Sequence, residues 1–370
     1  MAIQSQPSRL GQVNLANDVD ALFLKVFSGE IIASFEEANL MLPITKVRTI
    51  SSGKVASFAV TGVASAQYHT PGESVLSTGD TTGYGTATSG SGAGTNLVVA
   101  YDGGSNKYLQ RFRHNEKQIF IDDVLVSSVF VADIDELKNH YDVRSTYSRE
   151  IGRALAYTAD KNLVRTVIAG ARVTTDRFGG SNATYLGSQI ELSAGVGTIS
   201  SEQMIAGLFT AAQKMDEANV PTDGRYALLT PGNYYKLVNG DGAKIAINKD
   251  YGGNGNIAKG NIVEIAGITV MKSNHIPTAT ETSSTNVHNA SGIKNDPFGS
   301  NGVGYGQANF GTTQGIVFHT DAVGTVKLMD LSVESDYIMD RLGTLMLAKY
   351  AMGHGILREE CCYELINAAT

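Results

Sequence analysis

DIDELKNHYDVRSTYSREIGRALAYTADKNLVRTVIAGA, residues 133–171, decides the architecture. Leu137, Tyr141, Tyr147, Ile151, Leu155, Ala159, Leu163 and Val167 recur mostly four apart, near one side of a 3.6-residue turn, which predicts one long helix. Asp133 with Glu136 makes a capping box at its start, and Asp135 with Lys138 and Glu150 with Arg153 pair along its surface. No proline lies between Pro71 and Pro221. At ~1.5 Å per residue the helix spans on the order of 58 Å, longer than a compact domain is wide. It reads as a spine and not as a core helix. The competing reading is two helices broken at Gly152, although one interior glycine costs only ~1 kcal/mol.

The 370 residues suffice for a sizeable core and for more than one subdomain. Charged residues are 18%, glycine is abundant at 41 residues and tryptophan is absent, a composition of strands and turns more than of a helical bundle. A net charge of −7 argues against a tight grip on nucleic-acid phosphates. The only cysteines, Cys361 and Cys362, are adjacent, which gives neither a disulfide framework nor metal-ligand spacing and points to a reducing compartment. No secretory leader and no apolar run of about 18 residues is present, so no membrane contact is expected.

On either side of the spine the periodicity changes. Residues 1–46 read as a polar arm followed by an amphipathic helix. Its stripe of Val19, Leu22, Phe23, Val26 and Phe27 continues through Ile31, Ile32 and Phe35. That stripe either packs in the core or docks on another subunit. Residues 47–131 hold two strand runs, 47–60 and 118–131, separated by a glycine, serine and threonine-rich excursion. A compact interior rarely holds such a stretch, so it reads as a two-stranded arm that needs another copy of the chain to lie on. After the spine, 176–198 is loop-like. Ser200 and Gln203 then cap a helix running to about Asn219, Tyr226 to Thr230 reads as a buried strand, and Pro231 opens a short helix. With strand signals on both sides of Gly267, these elements make an α/β lobe of about 191–277. A variable loop follows at 278–315. The strands of 316–370 are expected to pack under the spine and complete the first body, residues 132–190.

The search for chemistry finds little. Ser52-Gly53-Lys54 lacks the first glycine and the hydroxyl residue of a phosphate loop, and Gly252, Gly253, Gly255 and Gly260 lack a strand-to-helix context. The seven histidines have no zinc-binding spacing and read as surface or satisfied core residues. His140 and Ser145 lie roughly 140° apart around the spine and do not face each other. Cys361 and Cys362 read as structural thiols. Arg111, Arg113 and Lys117 form the one short basic cluster, more in keeping with a solvated strand face than with nucleic-acid binding. No catalytic residue, cofactor or metal is expected.

Several local stretches carry a resemblance to a family: residues 21–27 (ALFLKVF), 47–54 (VRTISSGK), 71–73 (PGE), 139–145 (NHYDVRS), 322–328 (AVGTVKL) and 348–355 (AKYAMGHG). In these the chain resembles the major capsid proteins of short-tailed phages of the coliphage T-seven type, including relatives infecting marine cyanobacteria. The resemblance implies an α+β fold of the kind first described for phage Hong Kong 97, with N-terminal arm, extended β-hairpin loop, long spine helix, and peripheral and axial domains. By that mapping 47–131 holds the extended loop, with an insertion at about 77–106, and 191–277 the axial core. It implies self-assembly through hexamers and pentamers into an icosahedral shell around double-stranded DNA, with scaffolding and portal proteins as partners and assembly in the host cytoplasm. No lysine–asparagine crosslink is expected. The expected inter-subunit contacts are Leu22, Phe23, Val26 and Phe27 on the stripe and Arg111, Arg113 and Lys117 in the basic cluster. Tyr141, Arg144 and Arg149 extend them along the spine. Removing residues 1–35 is expected to impair assembly more than folding. The alternatives are a cellular nanocompartment shell of the same fold and, more distantly, a hydrolase with a glycine-rich lid.

Overall fold

A computed structural model describes residues 31, 33–35, 38–62, 68, 71, 114–134, 143–176, 178, 185–192, 199–239, 255–256, 261–262, 264–281, 293–298, 305 and 308–367. The chain divides into two compact units, residues 1–58 with 117–370, and residues 59–116. The described elements, in chain order, begin with β1 (Lys46–Thr49), β2 (Val55–Thr61), β3 (His114–Phe120), β4 (Leu125–Ala132), helix α1 (Val143–Arg172) and β5 (Ser188–Glu191). Then come α2 (Ser201–Glu217), β6 (Arg225–Leu229), α3 (Pro231–Asn239), β7 (Gly255–Asn256), β8 (Asn261–Ile262), β9 (Glu264–Ile265), β10 (Ile268–Lys272) and β11 (Thr280–Glu281). The last strands are β12 (Ala308–Asn309), β13 (Thr313–His319), β14 (Val323–Ile338), β15 (Gly343–Ile356) and β16 (Cys362–Ile366).

Two sheets flank the spine. One has the order β1-β14-β15-β4 and the other β5-β16-β13-β6-β10-β9. The four-stranded sheet is antiparallel except where β1 runs parallel to β14, with Arg48 opposite Val326. The six-stranded sheet is mixed: β5 with β16 and β10 with β6 are parallel pairs. β2 and β3 pair with each other as a separate two-stranded sheet. The late strands therefore serve two sheets: β14 and β15 lie with β1 and β4, and β13 and β16 lie in the sheet that holds β6 and β10. The sequence expectation put the strands of 316–370 under the spine, and β13, β14, β15 and β16 all pack against α1. β13 is buried continuously from Gly315 to His319, the pattern of a strand covered on both faces.

The described part of the spine is α1, 30 residues from Val143 to Arg172, about 45 Å at ~1.5 Å per residue. Asp133 and Ile134 are helical, while Glu136 and the pairing of Asp135 with Lys138 lie outside the described residues. The spine reading needs one correction: α1 is not a bare rod. Ile151, Leu155 and Ala156 are buried on one side of its first half, whereas from Ala159 to Ala171 every residue but Lys161 is buried, because strands of both sheets pack on that half. Gly152 does not break the helix. A Cβ there would lie 2.7 Å from the Ile31 carbonyl oxygen and 2.9 Å from Ser34 Cβ, so the glycine lets the preceding helical segment cross at close range.

That segment, with residues 31, 33–35 and 38 helical, belongs to the core. Ile31 and Phe35 are buried, and Ser34 Oγ donates to the Arg149 carbonyl at 2.9 Å. Asp160, fully buried in α1, accepts the backbone N–H groups of Leu40 (2.8 Å) and Met41 (3.0 Å) and meets His275 Nδ1 at 3.0 Å. Deleting residues 1–35 would remove two core side chains, Ile31 and Phe35, so such a deletion disturbs folding as well as assembly. The informative cut falls before Ile31.

Local sequence signals specify much of the rest. Ser200 and Gln203 form a reciprocal capping box at the start of α2, and α3 starts at Pro231. The Glu150–Arg153 pair closes at 3.1 Å on the solvent side. β5, inside the stretch read as loop, pairs through Ile190 with Leu365 and is one edge of the six-stranded sheet.

Candidate assembly surface

Among the described residues, no three His, Cys, Asp or Glu side chains are grouped to hold a metal. The titratable groups in the interior are instead structural partners. His354, fully buried beside Thr325 Oγ1 at 2.9 Å, is pushed down to about 3 by burial and stays neutral. His319 Nε2 lies 2.8 Å from the Asp223 carbonyl, while its Nδ1 accepts from the Asp321 N–H at 3.1 Å. His275 is taken by Asp160. Burial drives the Cys362 thiol well above its ordinary range, and Cys361 is buried beside it. These residues hold elements together and present no reactive group.

The surface is more informative. Strands β14 and β15 form a hairpin whose tip carries large apolar side chains in water: Met339 is 69% and Leu342 62% exposed. Ile134, at 56%, belongs to the same end, since the Asp133 N–H donates to the Leu342 carbonyl at 3.2 Å and Tyr337 Oη donates to Asp133 Oδ2 at 2.9 Å. Gly343 opposite Ala132 brings the two strands close, and Leu342 is held at φ 48°. A turn is normally built of glycine, asparagine, aspartate or proline, so the run Met339-Asp340-Arg341-Leu342 was a readable sign that this tip meets something apolar. The sequence reading passed over it.

The four-stranded sheet extends that surface. Its inner face sends Val131, Met346, Ala348 and Tyr350 into the core against α1. The alternate residues point the other way, Val126, Ser128 and Phe130 on β4 opposite Lys349, Leu347 and Leu345 on β15. Val126 and Phe130 are exposed, and Lys349 pairs with Glu334 of β14 at 2.7 Å. Near the start of α1, Tyr147 does not join the core stripe. It lines a shallow cavity of about 250 Å³ with Ser127, Ser128, Val129, Glu150 and Ile151.

Of the expected inter-subunit residues, Lys117 is already committed within the chain: its Nζ lies 2.5 Å from Oε1 of the buried Glu359. Arg149 is exposed on α1. Arg144 is helical at the start of α1. Leu22, Phe23, Val26, Phe27, Arg111, Arg113, Tyr141 and the side chain of Arg144 lie outside the described residues.

This fold of mixed helix and sheet, a helix carrying two sheets, matches that of phage capsid structures. The same fold occurs in the mature capsid of bacteriophage PhiM1, at a TM-score of 0.64 and 12% identity over 100% of this chain and 93% of that one. The capsid structure of cyanophage P-SCSP1u is similar in sequence as well, with 36% identity, a TM-score of 0.68 and 99% of each chain covered. The major capsid protein of Escherichia phage T7 is 30% identical over 352 residues, 93% of this chain and 91% of that protein. The chain belongs to the Gp10A-like major capsid protein family, whose model matches residues 103–366. This is a family of structural proteins, and the hydrolase reading falls with it.

Proposed function

We propose that copies of this chain assemble through hexamers and pentamers into an icosahedral shell enclosing double-stranded DNA, built on the plan first described for phage Hong Kong 97. The observation that carries this reading is the joint likeness in sequence and structure to the cyanophage capsid over 99% of both chains. In this plan α1 is the spine of the peripheral domain, and the hairpin of β2 and β3 belongs to the extended loop, whose insertion is about 77–106. The sheet of β6 and β10 is the axial core. Scaffolding and portal proteins are the assembly partners, and the host cytoplasm is where assembly takes place. The net charge of −7 suits a wall that leaves packaged DNA free to move. Leu22, Phe23, Val26, Phe27, Arg111, Arg113, Tyr141, Arg144 and Arg149 remain the proposed contacts between copies, joined now by Met339 and Leu342.

Assembly is driven here by apolar area hidden on neighbours, at ~25 cal/mol per Å² and repeated around each capsomer. The hairpin tip gives a clean test. Met339→Glu with Leu342→Glu changes two exposed positions, so chain stability is expected to move by no more than about 0.5 kcal/mol. Shell yield by sedimentation is expected to fall roughly tenfold or more, since each lost 1.4 kcal/mol of contact is a factor of ten. Unchanged yield would remove the tip from the assembly surface.

A further inference from the structure

Two residues between β11 and β12 take the place of a neighbouring strand. The Asn295 side chain grips both backbone groups of Phe120, the last residue of β3: its Oδ1 accepts from the Phe120 N–H at 3.0 Å and its Nδ2 donates to the Phe120 carbonyl at 2.6 Å. Tyr305, fully buried, holds His354 of β15: its Oη accepts from the His354 N–H at 3.0 Å and lies 3.2 Å from the His354 carbonyl. Asp122, in the turn between β3 and β4, joins these two grips. Its Oδ1 accepts from the N–H groups of Lys294 (2.8 Å) and Asn295 (3.2 Å) and from Asn295 Nδ2 (3.0 Å), and its Oδ2 accepts from Tyr305 Oη at 2.8 Å. Gly353 makes the approach feasible, because a Cβ there would stand 1.9 Å from the Phe120 carbonyl oxygen.

We propose that Asn295, Tyr305 and Asp122 form a clasp that opens and closes as one unit and decides whether the corner between β3 and β4 is rigid or loose. Four backbone N–H groups, those of Phe120, Lys294, Asn295 and His354, donate to clasp side chains, so loss of any one member loosens the others. The clasp residues and the corner they hold belong to one compact unit, residues 1–58 with 117–370. The bearing of the clasp on assembly rests on the function proposed above. The clasp itself is measured on the unassembled chain, so the two readings fail separately.

The clasp has a built-in pH dependence. Burial raises the Asp122 carboxyl from 3.8 to about 6, against the lowering effect of its hydrogen bonds from Lys294, Tyr305 and Asn295. The titratable groups on which its charge acts are Tyr305 and Tyr350, both raised by burial. A carboxyl raised in the closed state binds a proton there that the open state releases. Its contribution is therefore full below about 3.8, declines as the pH rises from there, and is lost above about 6.

Amide hydrogen exchange on the wild-type chain tests this directly. After correction for intrinsic rates, the four amides should share one opening constant, roughly tenfold larger at pH 7.5 than at pH 5. Asp122→Asn should abolish that pH dependence, and Tyr305→Phe, which removes a single hydroxyl, should deprotect all four while leaving Val317 in β13 protected. Independent exchange of the four amides in the wild type, or a pH dependence that survives in Asp122→Asn, would overturn the clasp.

Discussion

Arg172→Leu is expected to cost ~3–5 kcal/mol of unfolding free energy. Glu364 on β16 is fully buried and depends on the last turn of α1 for its charge. Arg172 meets it with two donors, Nε to Oε2 at 2.7 Å and Nη2 to Oε1 at 2.6 Å, and its Nη1 donates to the Asn309 carbonyl at 2.8 Å. Thr313 Oγ1 and Gln189 Nε2 supply the remaining donors, at 2.5 and 2.9 Å. One carboxylate thus ties α1 to β5, β13 and β16. Leucine leaves it buried with two neutral donors, which do not offset its lost hydration. Urea unfolding at pH 7.5 measures the loss. A loss below about 1 kcal/mol at pH 7.5 would mean that Thr313 and Gln189 suffice.

Gly152→Val should cost about 3 kcal/mol, the upper part of the overpacking range. The obstruction is backbone: the Ile31 carbonyl and the Phe35 nitrogen stand 2.7 and 3.1 Å from the position of a new Cβ. Neither can rotate aside as a side-chain end would. The helical segment must lift off α1, breaking the Ser34 to Arg149 hydrogen bond and uncovering Ile31 and Phe35. Limited proteolysis should then cut near residues 31–42 well before the sheets unfold. Cleavage and stability like those of the wild type would show that the crossing has room the close approach does not suggest.

How much of this was legible in the sequence depends on how local each cause is. The spacing from Ile151 to Val167 specified the helix, because every residue in it answers to neighbours three and four positions away. The Ser200 box and Pro231 were readable for the same reason. Long-range pairing was not. β1 looked like the beginning of an arm, yet Val47 pairs with Thr325, and β5 is four residues with a single buried side chain, Ile190. The all-round burial of α1 beyond Ala159 depends on a second sheet that the chain completes some 150 residues later. Gly152 was weighed only as a weakness in a helix, although its role is a crossing point visible only once Ile31 is in place. At the surface, Met339 and Leu342 were plain in the sequence and were read merely as the gap between two strands. Asn295 and Tyr305 sit in a stretch whose composition says only loop, and their partners lie 175 and 183 positions away at Phe120 and Asp122.

The most direct test of the central claim is electron microscopy of the purified full chain, expressed with and without its candidate scaffolding protein. Closed shells tens of nanometres across, with the scaffold present, are the predicted result. Their loss with Met339→Glu and Leu342→Glu in a chain that still folds would tie them to the surface described here. Small discrete particles under both conditions, from protein that unfolds cooperatively, would contradict the account of this chain as a self-assembling shell subunit.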